Sequence, residues 1–425
     1  MKYVIIGGGA ASIGAIEGIR SVTKEGEITV VTREEFLPYS RPGISYWLSG
    51  KLPHAATPLR DLAFFERNGV RAATGGAATG VDTEKKIIVI NEKGEIPYDR
   101  LLIATGGTPI IPPIKGLEKI ERVFSFTTAR DAMRIAAARE RIRRAVILGG
   151  GLIGLKAAEA LFDMGIAVTV LELSDHILAS VLDENASRIV RKHLEGAGFE
   201  IITGDSVKSV EEEGNGELIM KTEKGKTLLA DALIIAIGVR PDLTLARNAA
   251  PKGAIAINRG ILADDYLMTS APDVYVAGDV AEAYDVASGT RRVTPILPNA
   301  HRQGMAAGRN MAGARERYEG GLPMNAIGFY GLDTVSIGRT LAADQKDYSI
   351  RSRIDEKRGT YRALAFSEGK LVGALLVSDV ERSGVFSGLI RDGVFVSGIE
   401  ETMLQPDFGM IHLEKSTREE RLRRK

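Results

Sequence analysis

The 425-residue sequence contains no cysteine. Without thiols it can form no disulfide, has no thiolate nucleophile and offers no Cys ligand to zinc or to an iron–sulfur cluster. Histidine is scarce as well. His54, His176, His193, His301 and His412 are scattered without ligand spacing, so no metal site is expected. Charge of either sign is not in excess: 56 Lys and Arg stand against 55 Asp and Glu, a net of +1, which leaves no global field to attract nucleic acid or an anionic membrane. Small ligands or a protein partner are expected instead. No apolar run approaches the roughly 18 residues needed to cross a bilayer. The short apolar run behind Met1-Lys2 turns directly into glycines rather than into a cleavage region, so a cytoplasmic protein is expected.

What the chain does have is two glycine turns in matching settings. The run Tyr3-Val4-Ile5-Ile6 breaks into Gly7-Gly8-Gly9-Ala10-Ala11-Ser12. An apolar run without alternation suits a parallel strand covered on both faces, and the glycines let amides at a helix N-terminus approach a pyrophosphate. A second copy reads Ala145-Val146-Ile147-Leu148-Gly149-Gly150-Gly151-Leu152-Ile153-Gly154. Two such turns predict two bound dinucleotides, and two dinucleotides suggest hydride exchange between them.

Each turn is followed by a strand with a carboxylate near its end. In the first copy Glu34, 22 residues after Ser12, is preferred to Glu35 as the acceptor for an adenosine ribose. In the second, Glu172 ends Val168-Thr169-Val170-Leu171, 18 residues after Gly154. A carboxylate there pairs with the ribose hydroxyls of NAD and repels the 2′-phosphate of NADP, so NADH is favoured over NADPH. Ser12 stands where the fingerprint has its third glycine, which predicts a looser contact of helix and strand. The layout repeats further along: Ala104-Thr105-Gly106 with Pro109 behind it, then Ile237-Gly238 with Pro241 behind it. Soon after Glu34-Glu35 comes Pro38-Tyr39-Ser40-Arg41-Pro42-Gly43-Ile44-Ser45-Tyr46-Trp47-Leu48, which reads equally as a packed loop or as a lid over a flat ring, with Arg41 as its fixed charge. Beyond Gly321 the glycine turns cease, and Tyr361–Phe366 and Leu371–Val377 read as a hairpin of an antiparallel sheet.

In this order the motifs, with Val274-Tyr275-Val276-Ala277-Gly278-Asp279 added, resemble the two-dinucleotide flavoproteins of the pyridine nucleotide-disulfide oxidoreductase superfamily. The Pro38–Pro42 passage and Gly369-Lys370-Leu371-Val372-Gly373-Ala374 narrow the likeness to the branch holding rubredoxin and ferredoxin reductases, NADH oxidases and FAD subunits of multi-subunit oxidoreductases. The resemblance implies an α/β fold of two Rossmann-like three-layer nucleotide-binding domains and a C-terminal α+β interface domain. The expected division is 1–115 and 251–320 for FAD, 116–250 for NAD(P), and 321–425 for dimerisation or partner contact.

The resemblance also implies roles for residues. Gly7, Gly9, Ala11, Ser12, Glu34, Arg41, Ala78, Ala104, Thr105, Gly106, Gly278, Asp279, Pro298, Asn299 and Gln303 are expected to hold FAD, Asp279 at the ribitol or else as a helix cap. Gly149, Gly151, Leu152, Ile153, Gly154, Glu172 and Gly238 are expected to hold NAD. Glu159 matches an acid near the nicotinamide, and Arg41 and Tyr46 fall beside the flavin, Tyr46 where rubredoxin-reductase-like relatives tend to carry Lys. The implied reaction passes hydride from NADH to FAD. With no redox cysteine, the leading outlet is an external iron–sulfur protein or metal-centre subunit. Oxygen or a quinone comes next, and a non-catalytic NADH-sensing scaffold after that. A homo-oligomer or a subunit of a larger complex is expected, and the basic tail Glu414–Lys425 is either solvated or a contact for an acidic partner.

Overall fold

The computed structural model describes residues 1–91, 94–214, 216–339 and 348–423, with side chains up to 419; the last two residues of the basic tail lie outside the described ones. The chain forms two compact units. One comprises Met1–Ile110, Thr127–Ala137 and Val239–Gly321, the other Ile111–Phe126, Ala138–Gly238 and Leu322–Lys425. The segments expected to hold NAD and to form the C-terminal domain thus lie mostly in one unit, and residues 127–137 and 239–250 belong with the other.

The first unit is built on a five-stranded parallel sheet, in spatial order Val274–Val276, Arg100–Ile103, Lys2–Ile6, Glu27–Thr32 and Val70–Thr74. Its central strand is buried from Tyr3 to Ile6, as the unbroken apolar run predicts. Gly107–Pro109 pairs antiparallel with Val239–Pro241, so the Gly–Pro segments of the two repeated layouts form one ribbon. The helix Ala10–Val22 crosses the helix Leu297–Met311 almost backbone to backbone. A Cβ added at Gly14 would lie 2.1 Å from His301 O, at Gly18 2.2 Å from Met305 O, at Gly304 2.0 Å from Ala11 O and at Gly308 2.3 Å from Ala15 O. Glycine is required at all four positions.

The second unit repeats the parallel sheet, in the order Glu200–Thr203, Ala167–Glu172, Arg144–Leu148, Ala232–Ile235 and Val123–Ser125. Its C-terminal part is a five-stranded antiparallel sheet, Met324–Phe329, Leu332–Gly338, Lys370–Val377, Thr360–Ser367 and Ser349–Asp355, with the helix Ser383–Arg391 packed on it. The expected hairpin turns at Glu368-Gly369, both at positive φ, 51° and 74°. Two parallel α/β sheets and a separate α+β sheet match the fold class read from the sequence. Among the described residues no helix is long and apolar enough to cross a membrane, and no group of three or more metal-ligating side chains forms.

Candidate cofactor sites

In the first unit, Gly7 has φ of 141°, and a Cβ there would lie 2.1 Å from Ala104 O, so the turn is pressed onto the end of its neighbouring strand. At Gly9 and Gly106 an added Cβ would meet nothing within 4 Å. The glycine turn is therefore tight beneath and open above. Gly9 caps the helix in extended conformation, which puts Ala10 and Ala11 in its first turn, where free amides and the helix dipole favour an anion. Ser12 is buried and donates its hydroxyl to Gly7 O at 2.7 Å, tying helix to turn where loosening was expected.

The rim is supplied from far along the chain. Gln303, 3% exposed, accepts the Gly278 amide at 2.7 Å, and Asn299 beside it is 1% exposed, with Pro298 in the first turn of the same helix. Gly278 lies against Ala11 and Ala300. Thr105 donates its hydroxyl to Asp242 O at 3.0 Å. Asp279 follows the strand Val274–Val276 and precedes the strand Ala281–Asp285, so it caps no helix. Burial pushes its carboxyl above the usual range, an effect Arg41 partly offsets. Ala78 begins the outlying strand Ala78–Asp82.

Glu34 lies two residues beyond its strand and accepts from the Tyr39 hydroxyl at 2.6 Å and from Arg41 at 2.7 Å. Arg41 also donates to Thr127 O at 2.8 Å, and the Tyr39 oxygen accepts the Ala129 amide at 2.9 Å. Glu34 and Arg41, separate expectations from the sequence, thus form one cluster with Tyr39, whose role was not anticipated. Burial raises the Tyr39 phenol well above its ordinary value. Tyr46 stands 41% exposed on the short helix Gly43–Leu48.

In the second unit, Gly149 has φ of 114° and an added Cβ would lie 2.5 Å from Ala236 O; at Gly154 it would lie 1.9 Å from Gly149 O. Gly151 faces open space and caps the helix whose first residues are Leu152 and Ile153. Glu172 accepts the Gly150 amide at 2.5 Å and the Ser174 amide at 2.8 Å. Gly238, at φ of 132°, follows the strand Ala232–Ile235. Strand register makes Thr32 the counterpart of Glu172, each one residue past the last pair, Ile6 with Val31 and Leu148 with Leu171. The first unit therefore has no acid at that position, and Glu34 lies two residues on, in the loop. Glu159 is 7% exposed and ion-paired with Lys156, a partner the sequence reading missed although the three-residue spacing signals it.

Each unit thus has a glycine cradle whose open face a Cβ would fill, as a dinucleotide pyrophosphate requires. Residues 1–304 match the family described as pyridine nucleotide-disulphide oxidoreductase. The chain belongs to that family. Residues 323–394 match the rubredoxin NAD+ reductase C-terminal domain. Among curated relatives, the epsilon subunit of NADH-dependent phenylglyoxylate dehydrogenase from Aromatoleum evansii is 34% identical over 92% of this chain and 91% of its own. The nitrite reductase [NAD(P)H] of Bacillus subtilis is 30% identical over 95% of this chain, but the match spans only 49% of that protein. Among solved structures, an NAD-dependent persulfide reductase from A. fulgidus superposes with a TM-score of 0.84 at 28% identity, covering 93% of this chain and 77% of that one. The chain is an FAD-dependent NAD(P)H oxidoreductase, and the residues of both cradles fit those two cofactors.

Proposed function

We propose that this protein oxidises NADH and passes the electrons, through FAD held in the first unit, to an external iron–sulfur or metal-centre protein, as a subunit or partner-dependent reductase. The observation that carries the reading is two open glycine cradles in a chain with no cysteine: both dinucleotides are accommodated, and no thiol can relay electrons between them and an acceptor. Bound FAD supplies the chemistry that splits a two-electron hydride into single-electron steps. The naming of a relative as the epsilon subunit of an NADH-dependent dehydrogenase supports the partner.

The residues divide the work. Glu172, held by two backbone amides, offers the ribose hydroxyls of NADH a fixed acceptor and meets a 2′-phosphate with like charge. Gly149, Gly151, Leu152, Ile153, Gly154 and Gly238 shape the NAD cradle, and Glu159 belongs at its nicotinamide end. Gly7, Gly9, Ala11, Ser12, Ala78, Ala104, Thr105, Gly106, Gly278, Asp279, Pro298, Asn299 and Gln303 hold FAD, and Glu34 holds its ribose. Arg41, ion-paired with Glu34 at 2.7 Å, belongs at the ribose end rather than beside the ring, and Tyr46 stands toward the ring. The division into 1–115 and 251–320, 116–250, and 321–425 is part of the proposal, supported at its last boundary by family matches that end at 304 and resume at 323. So is a cytoplasmic setting, where soluble NADH is at hand.

The test is anaerobic stopped-flow absorbance of the FAD-loaded protein mixed with NADH or NADPH. Rapid bleaching by NADH and slow bleaching by NADPH is the expected result, with little oxygen uptake when no partner is present. Absence of bleaching by either cofactor would overturn the reading.

A further inference from the structure

The second unit carries a cleft of about 490 Å³ that neither its glycine cradle nor its C-terminal sheet explains. The cleft lies on the small antiparallel sheet Val207–Glu212, Leu218–Thr222 and Thr227–Ala230, whose other face is buried through Val210 and Met220. Strand register sets four lining residues in one row: Lys115 beside Ser209, Ser209 opposite Lys221, and Lys221 opposite Thr227. A bulge adds a third lysine. The pairing steps from Val207 with Thr222 to Ser209 with Lys221, which leaves Lys208 as the extra residue. In a regular strand Lys208 would share the buried face of Val210, and the bulge turns it out into the cleft instead.

The walls are fixed. Lys115 O accepts the Val210 amide at 3.0 Å, and a Cβ added at Gly116 would lie 2.0 Å from Val210 O. Asp205, 2% exposed, accepts the amides of Ser206 and Lys224 and so holds the turn beyond Lys221. Among the described residues the Lys115, Lys208 and Lys221 side chains have no ion-pair partner, and the Ser209 and Thr227 hydroxyls make no hydrogen bond. Like charges gathered on one sheet face repel. Glu223 is the single carboxylate in the lining, so three ammonium groups face one acid.

The donor chemistry defines the ligand. An ammonium group is a point charge that suits phosphate, whereas guanidinium forks suit planar carboxylates, and no arginine lines the cleft. No aromatic ring lines it to stack a base. Lys115 and Lys221 are rooted two strand spacings apart, about 10 Å, so they approach one ligand from opposite sides. We propose that this cleft binds the phosphate chain of a small polyphosphate, with the three ammonium groups on its oxygens and the Ser209 and Thr227 hydroxyls donating to it. The site stands independently of the electron-transfer reading above.

The test is isothermal titration calorimetry of the FAD-loaded protein, saturated with NAD+ so that the cradle cannot take the probe, and free of divalent cations. Physiological ionic strength screens scattered surface lysines. Inorganic tripolyphosphate is expected to bind once per chain. Lys115→Met, Lys208→Met and Lys221→Met are each expected to weaken it about tenfold, the size of one partly screened charge at a few ångströms. Lys357→Met, at an exposed lysine outside the cleft, is expected to leave the affinity unchanged. ATP in place of tripolyphosphate identifies the source: tighter binding names a nucleotide, and binding no tighter names the phosphate chain alone. No binding of either probe at millimolar concentration would overturn the proposal, and so would a loss in the three cleft variants no larger than in Lys357→Met.

Discussion

Glu172 accepts hydrogen bonds from the amides of Gly150 and Ser174, at 2.5 and 2.8 Å, so the acid assigned to the NAD ribose also clamps the glycine turn beneath it. Substitution therefore has two consequences. Glu172→Gln removes the charge from both, and we expect NADH affinity to fall about tenfold and stability to drop by about 1 kcal/mol. Titration with NADH and thermal unfolding of the same preparation separate the two effects. An unchanged NADH affinity would remove Glu172 from the binding site.

Gly9 and Gly304 predict opposite phenotypes. An added methyl meets nothing at Gly9 but would lie 2.0 Å from Ala11 O at Gly304. Gly304→Ala is expected to cost about 1–3 kcal/mol of stability or more, as overpacking of a close contact does. Gly9→Ala is expected to leave the apoprotein melting temperature within a degree or two, the size of a contact-free surface change, and to weaken FAD binding, since its methyl fills the open face of the cradle. Flavin titration and calorimetry of the two apoproteins test the contrast.

Asp279 has its carboxyl raised by burial, with Arg41 only partly opposing. A carboxyl higher in the folded than in the unfolded state stabilises the fold fully below the unfolded value near 3.9, and that stability is lost as pH rises through the folded value. Relative to Asp279→Asn, the apoprotein should therefore be least stable at neutral pH, by about 1 kcal/mol, and the gap should close in acid. Denaturant unfolding at several pH values reads this directly. FAD affinity should move the other way, falling in the variant.

Asp183 caps the helix Glu184–Ala197 by accepting the Ala186 amide and also accepts the Tyr361 hydroxyl at 2.6 Å, joining that helix to the C-terminal sheet. Tyr361→Phe loses the bond to Asp183 and those with Ser352 and Asn185, and is expected to cost about 1–2 kcal/mol. Asp183→Ala loses the cap as well and should cost about 2–3 kcal/mol. The double variant should cost less than the sum of the two single changes by about 1 kcal/mol, because the Tyr361–Asp183 bond is counted in both.

The parallel sheets were legible because both central strands are unbroken apolar runs ending in glycine, and nothing distant alters that arrangement. The partner of each helix was not. Gly14 and Gly18 look like ordinary small residues of a helix face until Gly304 and Gly308 are seen against them, although the four-residue spacing on both helices is a signal that could have been used. Glu34 was found by counting from the turn, yet the count hid that Thr32 occupies the sheet position equivalent to Glu172. Asp279 allowed a cap because the sequence does not show whether a helix or a strand follows; a strand does. Glu159 was legible as an acid on the helix opened by Gly151, and its three-residue spacing from Lys156 was a usable signal, but the Gly328 carbonyl that Lys156 also meets lies about 170 residues away and no local pattern reaches it.

The glycine crossing has a consequence for synthesis. Ala10–Val22 leaves the ribosome well before the surface it locks onto, residues 301–309, which lies about 290 positions later. At roughly 5–20 residues per second the nascent helix waits about 15–60 s for its counterpart. Throughout that interval its small-residue face is open to whatever else is in reach, so the first unit cannot close co-translationally until residues 301–309 have been made.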